Sequence, residues 1–162
     1  MLHHASFCVR DPALVAEVLT EMLAATVLRA PAPPFPPNSW FVLYGDEAGS
    51  FIEILPWQTV LTPDSRFGIA QDEAMRPYSG AHVLLSTPKS EAEIEALAEP
   101  HGWPTQRVDA RLFKVLKLWI ENTALVEFLT PDTRQAYVET FGGLGIPDLN
   151  GKLRRLENPG AV

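Results

Sequence analysis

Cysteine is almost missing from this sequence. Cys8 stands alone, so no disulfide can close within the 162 residues, and a packed core has to hold the chain together. Long apolar runs are missing as well. None reaches the roughly 18 to 20 residues that cross a bilayer, and the first residues lack the basic-then-apolar order of a secretory signal. Positive charge is in short supply: 13 Lys and Arg stand against 20 Asp and Glu, a net charge of −7. That argues against a general nucleic-acid binder, which needs a basic face to neutralise phosphates. The expectation is a cytoplasmic protein that handles a small molecule, with neither nucleic acid nor membrane as partner. What is plentiful is ordinary. A content of 46% hydrophobic and 20% charged residues suits one globular domain or two small fused modules and excludes disorder.

Hydrophobic spacing divides the chain. Residues 2–9 alternate as a strand, with His4, Ser6 and Cys8 on one face and Ala5, Phe7 and Val9 on the other. Asp11 and Pro12 read as the cap and first residue of a helix, whose apolar stripe is Leu14, Val15, Val18, Leu19, Met22 and Leu23. Five prolines between Ala30 and Pro37 require an extended loop. Strands follow at 40–44 and 50–55, the second with Phe51, Glu53 and Leu55 on one face and Ile52 and Ile54 on the other. The order then restarts: a strand at 81–86, a helix opened either by Thr87-Pro88 or by a Ser90–Glu93 capping box, and strands at 112–120 and 124–129. This gives a first module at 1–55, a linker and possible lid at 56–80 that carries Trp57, Arg66, Arg76 and Tyr78, and a second module at 81–130. A tail at 131–162 contains a short helix.

The repetition extends to polar residues in apolar strands. HASFCV matches HVLLST, and SFIEIL matches ALVEFL. Each half opens on a histidine and closes on a glutamate: His4 and Glu53, then His82 and Glu127. In every case the neighbours along the strand are apolar residues that have to face a helix, so all four polar side chains fall on the uncovered face. If those faces enclose one hollow, two imidazoles and two carboxylates converge. Two carboxylates there would repel and take up protons unless a cation joins them. Mixed nitrogen and oxygen donors suit Zn, Ni, Fe, Mn or Co.

These residues resemble the glyoxalase, bleomycin resistance and dioxygenase superfamily, the vicinal oxygen chelate proteins, over roughly residues 1 to 130. HHASFCVRDP is similar to the family's first strand and cap, FVLYGDEAGSFIEIL to its hairpin, YSGAHVLLS to the opening of its second half and LWIENTALVEFLTPD to its close. The resemblance implies an α+β fold of two βαβββ modules, forming a cupped, mostly antiparallel sheet around a metal cavity with helices on the outer face. It places the metal on His4, Glu53, His82 and Glu127. His4 is preferred to His3 because Asp11 lies seven residues after His4, the family's usual interval.

The implied activity is that of a divalent-metal-dependent lyase or isomerase. Its small substrate would chelate the ion through adjacent oxygens, with Glu127, or next Glu53, as the proton-transfer base. The alternatives are a non-catalytic drug- or metabolite-binding protein of the bleomycin-resistance type, and an extradiol-type dioxygenase. A fourth ligand at Glu53 counts against the dioxygenase. Such proteins are expected to be homodimers, with the four ligands drawn either from one chain or from two.

Overall fold

A computed structural model describes residues 3–32, 35–61, 69–74, 81–142, 147–149 and 151–152. The first half runs β1 (His4–Val9), α1 (Pro12–Leu23), β2 (Thr26–Arg29), β3 (Trp40–Leu43) and β4 (Phe51–Pro56). A short ladder of β5 (Thr59–Leu61) and β6 (Ile69–Gln71) follows. The second half runs β7 (His82–Ser86), α2 (Glu91–Ala98), β8 (Thr105–Asp109), β9 (Lys114–Ile120) and β10 (Ala124–Leu129), and α3 (Pro131–Phe141) follows. The strand orders are β1-β4-β3-β2 and β7-β10-β9-β8, the same topology twice. Among the described strands only the β1–β4 and β7–β10 pairings are parallel, and the two four-stranded sheets are separate and unclosed. The expected α+β duplication is therefore present. No described helix is long and apolar enough to cross a membrane.

Local chemistry fixes the helices. The Asp11 carboxylate accepts the Leu14 N–H at 3.1 Å and Pro12 occupies the first turn, so α1 starts where its orphan donor is satisfied. Ala24 ends α1 in the left-handed region at φ 51°. Ser90 and Glu93 form the reciprocal capping box that opens α2.

Apolar burial then fixes which way each sheet faces. Val15, Leu19 and Met22 of α1 and Val42, Ile52 and Ile54 of the first sheet are fully buried. Ile94 of α2 is buried in the same way, with Leu116, Leu118, Ile120, Val126 and Phe128 of the second sheet. Each such side chain contributes roughly 1.5–3 kcal/mol, so a one-residue slip that turned this set outward would unfold either sheet. All of these residues belong to one cluster, and α1 touches α2, so the halves share a core.

A carboxylate links the halves at the edge of that core. Glu121, in the β9–β10 turn, accepts the backbone N–H groups of Arg10 and Asp11, the latter at 2.7 Å. Glu121 and Asn122 hold left-handed φ values of 50° and 59°. That conformation disfavours a glutamate, and the two hydrogen bonds offset the cost.

Candidate metal-binding half-sites

The faces opposite the helices are built alike. In the parallel β1–β4 pair, His4 lies beside Phe51 and Ser6 beside Glu53. In the parallel β7–β10 pair, His82 lies beside Leu125 and Leu84 beside Glu127. Histidine and glutamate therefore sit on adjacent strands, displaced by two residues and on the same face, in the same register in both halves.

His4 Nε2 stands 4.0 Å from Glu53 Oε1, and His82 Nε2 stands 3.8 Å from Glu127 Oε2. Both gaps are too long for a hydrogen bond. They fall within the span two donors can have when each lies about 2.0–2.2 Å from a shared ion. The imidazoles are half exposed, at 51% and 48%, while both glutamates are 12% exposed.

The surroundings of the two pairs differ. His4 stacks on Phe51 with centroids 4.9 Å apart, and Phe41, the cross-strand partner of Glu53, meets Phe51 edge-on. Phe35 in turn meets Phe41 edge-on, so an aromatic wall flanks the first pair. Burial pushes the Glu53 carboxyl above its ordinary value, and the charge of His4 opposes the shift. In the second half the cross-strand partner of the glutamate is Lys117, whose Nζ lies 3.4 Å from Glu127 Oε1. Glu127 thus has the imidazole near one oxygen and an ammonium near the other.

Among the described residues, no three His, Cys, Asp or Glu side chains lie close enough to hold a metal. Within one chain the four candidate ligands stand as two pairs. His3 belongs to neither, since its Nδ1 lies 2.8 Å from the Ala48 carbonyl. Cys8 shares the open face of β1, where its thiol donates to the Thr59 carbonyl at 3.2 Å and burial pushes its pKa up. Burial thus favours the neutral thiol over the thiolate. Of the segment read as a linker and lid, Trp57 is placed under the Arg10 guanidinium at 4.8 Å, whereas Arg66, Arg76 and Tyr78 lie outside the described residues.

The sequence reading did not single out Lys117 or Glu121. A lysine in the apolar run KVLKLWI, on the same face as Trp119, was the available signal for the first. Glu121 gave none, because its partners lie 110 residues away or more.

No family model and no curated protein sequence matches this chain. Solved structures do. The monoclinic form of the fosfomycin resistance protein FosX from Listeria monocytogenes is 12% identical with a TM-score of 0.55, over 87% of this chain and 98% of that one. The same protein complexed with Mn(II) and sulfate is 12% identical with a TM-score of 0.54, over 87% and 96%. The hypothetical protein SA1046 from S. aureus is 10% identical with a TM-score of 0.50, over 80% and 96%. At these identities the likeness is one of fold, and the fold is that of the vicinal oxygen chelate, or glyoxalase and bleomycin resistance, proteins.

Proposed function

We propose that this protein is a glyoxalase-like, divalent-metal-dependent lyase or isomerase whose metal site is completed by two chains. The observation that carries the reading is the same-register His–Glu pair on both open faces, His4 with Glu53 and His82 with Glu127. Each pair supplies half of an N₂O₂ donor set that fits Zn, Ni, Fe, Mn or Co. A similar fold has been crystallised with Mn(II), which supports a divalent ion here. The open faces expose both imidazoles and leave Leu28 54% exposed, so a second chain laid face to face can set one chain's first pair against its partner's second pair.

When bound, the ion would polarise a pair of adjacent substrate oxygens and stabilise charge developing on them. The chain's own residues do the rest. Both imidazoles hold their positions through adjacent parallel strands. A glutamate takes the proton from the neighbouring carbon. Glu127 is the base the resemblance implies, with Glu53 next. Phe35, Phe41 and Phe51 exclude water from one side of the site.

Metal analysis of protein purified without added metal tests this. Near-stoichiometric metal that His82→Ala or Glu127→Ala removes while the fold persists supports the enzyme. Wild-type protein that is metal-free but binds a bulky aromatic compound tightly supports instead a sequestering protein of the bleomycin-resistance type, for which the aromatic wall would be the binding surface.

A further inference from the structure

The open faces of the two four-stranded sheets carry three formal charges besides the histidines among their described strand residues: Glu53, Glu127 and Lys117. Lys117 occupies the position that Phe41 holds in the first half, directly across the strand pair from the glutamate. It is 27% exposed, less than the histidines, so its ammonium sits within the face and not at its rim. A lysine directly across from a glutamate on a wet sheet is ordinarily a cross-strand ion pair worth well under about 1 kcal/mol. Here the carboxylate is 12% exposed and is also a proposed metal ligand.

Charge counting then separates two roles. Two carboxylates, two neutral imidazoles and one divalent ion sum to zero. Glu127 can meet an ion through Oε2, the oxygen beside His82, and keep Oε1 near Lys117, but the ion then offsets the carboxylate's charge and the Lys117 ammonium is left as a net positive charge on a partly desolvated face. A partly buried unpaired charge is costly, and a ligand with one negative charge beyond its chelating oxygens removes that cost.

We infer that Lys117 recognises an anionic group on the substrate, so the substrate class is a small carboxylate-, phosphate- or phosphonate-bearing molecule with an adjacent oxygen pair. The inference rests on the proposed metal site and deepens it. Lys117 pairs with Glu127 in the metal-free protein and passes to the substrate anion when metal and ligand bind. The first half, with phenylalanine at the matching position, supplies the apolar wall opposite.

The test uses the full chain loaded with Mn(II) and two hydroxamate probes, each offering a pair of adjacent oxygens. Acetohydroxamate has no further charge, and phosphoglycolohydroxamate carries a phosphate. Calorimetry of wild type, Lys117→Met and Lys117→Arg should show the phosphorylated probe preferred about tenfold or more by wild type, since a charged hydrogen bond is worth at least one factor of ten. The Met variant should lose that preference while keeping its acetohydroxamate affinity, and the Arg variant should retain it. A Met variant that binds Mn(II) and still prefers the phosphorylated probe as strongly as wild type overturns the inference alone, as does a wild type that binds Mn(II) and shows no preference. A wild type that takes up no Mn(II) overturns the inference together with the metal reading, and the Mn(II) titration shows which has failed.

Discussion

The two halves place a histidine and a glutamate in one register, yet almost everything around those pairs differs. In the first half the pair is walled by Phe35, Phe41 and Phe51, and the far end of the open face is closed where the Cys8 thiol meets Thr59, with Leu55 buried beside it. In the second half Lys117 takes the place of Phe41. The far end is closed by α3, which packs on β9 and β10 where Val115 and Leu129 are buried outside the main core. Leu55 and Leu129 occupy equivalent positions, so unrelated segments solve one problem, an apolar side chain on the face no outer helix covers. The lesson is a division of labour. Repeated strand register fixes where the histidines and glutamates stand, while the unrepeated neighbours decide the charge and dryness around them.

The largest effect should come from the layer the halves share. Ile54 and Phe128 are equivalent and both fully buried in the same cluster. Phe128→Ala is expected to cost about 3–5 kcal/mol and Ile54→Ala about 2–5 kcal/mol. Each should lower a single transition seen by circular dichroism in denaturant. Two transitions, with one unmoved by either substitution, would show that the halves fold separately.

A smaller effect should separate the halves by pH. Tyr44 is pushed from 10 up to about 12, first by burial and then by Asp46. The equivalent residue in the second half is the buried, non-titrating Ile120. A raised tyrosine stabilises the fold fully below its ordinary value, and that contribution is lost as pH rises through the folded value. Between pH 10 and about 12 wild type should lose on the order of 2 kcal/mol that Tyr44→Phe does not lose. Equal alkaline loss in both proteins, followed by denaturant unfolding, would place the sensitive group elsewhere.

The smallest effect concerns the link between the halves. Glu121→Ala removes the acceptor for the Arg10 and Asp11 amides and should cost about 1.5 kcal/mol, the lower end for a charged hydrogen bond. Glu121→Gly should cost less, because glycine relieves the left-handed backbone at φ 50°. If the two cost the same in thermal unfolding, the carboxylate alone matters and the turn carries no strain.

Much of this was legible in the sequence where periodicity and burial agree. The stripe of α1, the flanking Ile52 and Ile54 and the repeated His and Glu fixed which face each strand presents. The edge strands β2 and β8 were not individually visible, because TVLR and TQRVD are short and largely exposed and lack an apolar period. The β5–β6 pair lay in a stretch without a period, where ladder hydrogen bonds outweigh pattern. The separation of the four candidate ligands into two pairs was not legible either. Face assignment follows from local alternation, whereas the distance between faces depends on how α1 and α2 pack together.

The central claim is that one chain's His4–Glu53 pair and its partner's His82–Glu127 pair make one site, and complementation tests it most directly. A His4→Ala chain and a Glu127→Ala chain are each purified, then mixed under conditions that allow subunits to exchange, and bound metal is counted. The account expects little metal in either variant alone and recovery on mixing, toward one ion per mixed dimer, because one of its two sites regains all four ligands. A mixture that exchanges subunits yet recovers no metal, or a wild-type monomer that binds a full equivalent, would contradict it.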